Sequence, residues 1–117
     1  MCAIDLDFYA RFKQSIEEIK VSGEKYADAR AKSYHAQEMK GAILASLIQA
    51  LPEMPVSKAE IAAKASESYA QHLKETSEAI KLEYQWKNAL EVAKAKFEGN
   101  RSLSSLEKRT RSLIDGD

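Results

Sequence analysis

Helix breakers are what this sequence has least of: two prolines, Pro52 and Pro55, and four glycines in 117 residues. A chain without breakers is free to stay helical over long distances, and β-branched residues are too sparse and scattered to build a sheet. The single cysteine, Cys2, excludes an internal disulfide and points to a reducing, cytoplasmic setting, with Cys2 itself an unreactive terminal thiol. Long apolar runs are missing too. The longest, Ala42–Leu51, is interrupted by Ser46 and Gln49 and falls well short of the roughly 20 residues that span a bilayer. No cationic leader followed by an apolar core opens the chain, which again reads as cytoplasmic. Nor does one sign of charge prevail: 18 Lys and Arg stand against 18 Asp and Glu, so no global field steers the chain to nucleic acid or membrane.

The motifs of catalysis are also lacking. There is no G-x-S-x-G elbow and no glycine-rich phosphate loop. Acid–base chemistry needs carboxylates in a partly buried cleft, whereas long helices present convex surfaces. Glu17, Glu18, Glu75 and Glu78 therefore read as solvated faces. The expectation is a protein that is not an enzyme, with no cofactor and no small-molecule substrate.

What is abundant is alanine, 18 residues of it, within a chain that is 31% charged. That composition belongs to long helices. Pro52 and Pro55 mark the strong break, because proline lacks the donor and clashes with the preceding turn. Ser57 and Glu60 follow with capping-box spacing, which starts a second arm at about Lys58 and runs it to Ile114, about 85 Å at 1.5 Å per residue. Gly99-Asn100 is its weakest point, and the apolar Leu103, Leu106, Leu113 and Ile114 carry the helix beyond it. Asp5 can cap the first arm, in which Phe8, Phe12, Ile16 and Ile19 recur at helical spacing, and which runs from about 5 to 51 with a soft spot at Ser22-Gly23.

The fold class is thus all-α, a single domain over 1–117: a long, coiled-coil-like antiparallel two-helix hairpin turning over residues 52–57. Ile43 and Leu47 are expected opposite Ala62–Ala65, and Tyr34 and Tyr26 near Glu75 and Glu83–Tyr84. Two helices alone bury little, and backbone ordering costs about 1–2 kcal/mol per residue. The large apolar groups Phe8, Phe12, Tyr84, Trp86 and Phe97 are therefore expected at an interface that completes a four-helix bundle by dimerisation. The alternative is a monomer whose first arm bends at Gly23 to supply a third helix.

Two further clusters carry possible chemistry. His35-x-x-Glu38 and His72-x-x-Glu75 share one spacing on opposite arms, and two His with two Glu are competent divalent-metal ligands. Carboxylate-bridged metal bundles use the reverse order, Glu-x-x-His, and Lys32, Lys40 and Lys74 crowd the region, so the quartet reads as solvated surface. Residues 94–111 carry Lys94, Lys96, Arg101, Lys108, Arg109 and Arg111 against Glu98 and Glu107, a local net charge of +4. With Trp86 to stack a base, these six cations form a candidate single-strand nucleic-acid surface; the commoner arrangement is a packing seam with a basic rim.

The stretches Glu24–Lys32, Ser68–Leu73 and Glu83–Arg101 resemble a loose set of small helical-hairpin accessory proteins of tailed bacteriophages and prophages. The shared traits are a Tyr before an Ala/Arg-rich first arm, a turn, and a long second arm ending in an aromatic-plus-Arg cluster, here Phe97 and Arg101, then Lys108-Arg109. The resemblance covers about residues 24–110 and implies a host-cytoplasmic protein acting through contacts. The functional expectation is a helical protein that binds or modulates a protein of DNA recombination, replication or host defence, with direct nucleic-acid binding through the basic segment as the alternative.

Overall fold

A computed structural model describes residues 3–51 and 54–115. It contains three helices, α1 (Ala3–Gln49), α2 (Val56–Lys64) and α3 (Glu67–Asp115), and no strand among the described residues. The chain is an all-α helical hairpin. α1 passes through Ser22-Gly23 without a break, so the bent three-helix alternative is not the structure adopted. Gly23 lies on the inner face, where an added Cβ would stand 4.0 Å from Leu90 Cδ1 on α3, an ordinary contact. One glycine costs a helix about 1 kcal/mol, which packing along a helix this long readily offsets. α3 likewise continues through Gly99-Asn100.

The structure corrects the sequence reading in three places, two around the turn and one at the start of α1. Pro52 and Glu53 lie outside the described residues, as does Cys2. Pro55 itself caps α2, with φ −55° and ψ 144°, and its carbonyl accepts the first helical bond from Ala59 at 2.9 Å. Ser57 therefore sits inside the helix, α2 has no side-chain cap, and the Ser57/Glu60 capping box does not form. Glu60 instead pairs with Lys64 one turn on, at 3.0 Å. The second arm is also not continuous from Lys58: it breaks at Ala65 and Ser66. There the Ser66 hydroxyl donates to the Ala63 carbonyl at 2.6 Å and accepts from the Tyr69 N–H at 3.2 Å, which makes Ser66 the true N-cap of α3. At the other end of the hairpin, Asp5 falls inside α1 rather than before it.

Contacts divide the chain into two compact units, residues Met1–Tyr26 with Trp86–Asp117, and Ala27–Gln85. In the second unit Ala29, Ser33, Ala59, Ala63, Tyr69 and His72 are buried. Small side chains allow the backbones to approach closely, and the fully buried Ser33 hydroxyl is satisfied by the Gln37 side-chain amide at 3.0 Å. Ile43 lies beside Ser68, Gln71 and His72, about a turn further along than the expected Ala62–Ala65, because the break before α3 lengthens the connection.

In the first unit α1 and α3 run antiparallel. Phe12 and Phe97 meet edge to face, with centroids 5.8 Å apart and planes at 75°. The Asn100 amide donates to the buried Ser15 hydroxyl at 2.8 Å, and Ala93 is buried on α3.

Candidate interaction surface

Of the five aromatics expected at an interface, Phe12 and Phe97 spend much of their surface on each other, and both are half-buried. Phe8 is half-buried and carries the Arg11 guanidinium 5.6 Å above its ring. Trp86 is half-buried in the first unit, and Tyr84, in the second, is exposed.

The metal quartet is not gathered. His35, Glu38 and Glu75 are exposed, Glu75 accepts from the Gln71 amide at 3.0 Å, and the buried His72 ring Nε2 lies 3.4 Å from the Thr76 hydroxyl. Among the described residues no group of three or more His, Cys, Asp or Glu is placed to hold a metal ion. No helix among them is long and apolar enough to cross a membrane.

The basic segment is a set of local ion pairs. Lys94 pairs with Glu91 at 4.0 Å, Arg101 with Glu98 at 3.8 Å and Arg111 with Glu107 at 3.3 Å, all along α3. Lys96 reaches across to Glu18 on α1 at 3.9 Å. Lys108 and Arg109 are exposed. Such exposed pairs contribute about 0–1 kcal/mol each and exchange readily. Lys94, Arg101 and Lys108 stand seven apart on one face of α3, while Lys96 is turned away from them. Trp86 precedes Lys94 by about 12 Å of helix and Arg101 by about 22 Å, at 1.5 Å per residue.

The surface that sequence reasoning missed is a groove between α1 and α3 in the first unit. Val21, Val92 and Ala89 line one stretch of it; Arg11, Gly99 and Leu103 line the next. Gln14, Glu18 and Lys96 border both stretches, and Glu17 lies at the Val21 end. Along α3 this flank is a heptad seam in its own right. Val92, Gly99, Leu106 and Leu113 recur every seven residues, with Ala89, Lys96, Leu103 and Thr110 between them. Its signal was present in the spacing of Leu103, Leu106 and Leu113, but Lys96 and Gly99 interrupt the apolar pattern.

Burial across the chain has the same character. The buried hydrophobic residues are four alanines and Tyr69, whereas 17 large apolar side chains among the described residues stay exposed, Leu113 at 82%. Comparison with protein-family models, curated proteins and solved structures finds no match to this chain.

Proposed function

We propose that this chain is a non-enzymatic helical interaction protein that binds or modulates a protein partner, in a phage-type setting of DNA recombination, replication or host defence. The observation that carries the reading is the inverted distribution of apolar side chains: small ones inside, large ones outside. Large apolar side chains left exposed side by side mark contact sites. The phage setting comes from the sequence resemblance. Site-specific photo-crosslinking in native or infected cells tests it, with the crosslinker at the exposed Tyr34 or Tyr84 and a control at the exposed Lys58. The expected result is one discrete heterologous adduct from the first two sites and none from the control; equal, diffuse labelling from all three sites would overturn it.

The alternative, direct nucleic-acid binding, is favoured by the row Lys94, Arg101 and Lys108. It requires an affinity that falls steeply with salt, since each neutralised phosphate releases counterions. An absence of retardation of single- or double-stranded DNA at low salt removes it.

A further inference from the structure

Gly99 is the least explicable residue of α3 on internal grounds. A glycine within a helix costs about 1 kcal/mol relative to alanine. Here the chain gains nothing in return, because a Cβ at Gly99 would meet no atom within 4 Å. Its backbone is ordinary helix, so no unusual conformation calls for glycine either. The open space lies in the groove of the first unit, beside Leu103 and Asn100 and next in the heptad to Val92 and Leu106. A missing side chain flanked by exposed leucine and valine lets another helix approach closely at that point.

The charges along the groove say which helix. Arg11 stands at one end and Glu17 at the other, with Gln14 between them on α1. Lys96 is already beside Glu18 and adds little net charge. A surface that is cationic at one end and anionic at the other is complementary to itself when turned through a two-fold axis at its centre. We infer that the groove docks a second copy of this chain through the same groove, antiparallel, with the two Gly99 positions close to the axis and Arg11 of each chain meeting Glu17 of its partner. This rests on the interaction-protein reading and goes beyond it by assigning this one face to a second copy, leaving the other exposed apolar residues to the foreign partner.

An isologous contact of this kind closes on itself and stops at two chains.

The test is sedimentation equilibrium of the full chain up to tens of micromolar, with circular dichroism to verify helicity. The wild type should show twice the 13.1 kDa chain mass. Gly99→Leu fills the open space, keeps its helicity and should run at the single-chain mass. Arg11→Glu and Glu17→Arg should each weaken association about tenfold, and the double reversal should restore it to within about threefold of wild type. A single-chain mass for the wild type throughout overturns the inference. So does a dimer indifferent to Gly99→Leu, and so does a double reversal that fails to rescue, which would exclude the antiparallel two-fold arrangement. The two proposals fail separately. A monomeric wild type that crosslinks from Tyr34 to a foreign protein retains the interaction role and loses self-docking. A dimer that crosslinks from Val92 to a second copy, with no foreign adduct from Tyr34 or Tyr84, does the reverse.

Discussion

The Asn100 side-chain amide donates a 2.8 Å hydrogen bond to the Ser15 hydroxyl, joining positions 85 residues apart in sequence. Ser15 is 4% exposed, so its hydroxyl has been taken out of water to make that bond. A slip of α1 along α3 by one residue would strand both groups. The pair therefore sets the axial register of the first unit, where alanine and phenylalanine contacts alone would tolerate several alignments.

Asn100→Ala should accordingly cost about 1–3 kcal/mol, the penalty of a buried hydroxyl left without a partner. The Ser15→Ala/Asn100→Ala double variant should lose less than the two single losses together. Urea unfolding of the four proteins gives the cycle, and strictly additive losses would show that the bond sets nothing.

Ser66 and Ser57 offer a direct contrast. Ser66→Ala removes the N-cap of α3 and should cost about 1 kcal/mol. Ser57→Ala, at an exposed position inside α2 with no capping bond, should stay within about 0.5 kcal/mol of wild type. Thermal unfolding of both variants decides it, and equal losses would restore the capping box at Ser57.

Phe97→Ala should cost about 2 kcal/mol, less than for a fully buried ring because Phe97 is half-buried. Phe12→Ala should be similar, and a double-mutant cycle should return about 0.5–1.5 kcal/mol of coupling from the edge-to-face contact. Zero coupling would separate the two rings.

The Lys64 amine titrates above the ordinary lysine value, chiefly because it donates a hydrogen bond to Glu60 and secondarily because that carboxylate is negative. A raised folded-state value means that the small contribution of this exposed pair is present below the ordinary lysine pKa and disappears as pH rises through the raised one. NMR titration of the Lys64 side chain should show the elevation, and Glu60→Gln should abolish most of it. An unchanged titration in Glu60→Gln would assign the shift to another cause.

The all-α hairpin was legible because its cause is compositional: two prolines close together, and almost no other breaker over the arms. The continuity of α1 through Gly23 was not, since only the neighbouring Leu90 shows that the glycine sits in a packed seam. The capping serine was misplaced because Ser57-x-x-Glu60 and Ser66-x-x-Tyr69 both offer a hydroxyl three residues before a backbone donor. The geometry of Pro55 decides between them, by providing the start of α2 without a side-chain cap. The aromatics were read as interface residues on size alone, yet Phe12 and Phe97 find each other first. The groove at Gly99 was hidden because its centre is defined by a side chain that is missing.

The break at Ala65 and Ser66 gives the hairpin a detachable segment. α2 has nine residues, fewer than the roughly 12–15 that keep an isolated helix folded in water, and its buried side chains are the two alanines Ala59 and Ala63. It can melt while Ser66 still holds the first turn of α3, so its amides should trade hydrogen for deuterium well ahead of those of α3. Strain or proteolysis near the prolines would then be absorbed by one short piece of chain.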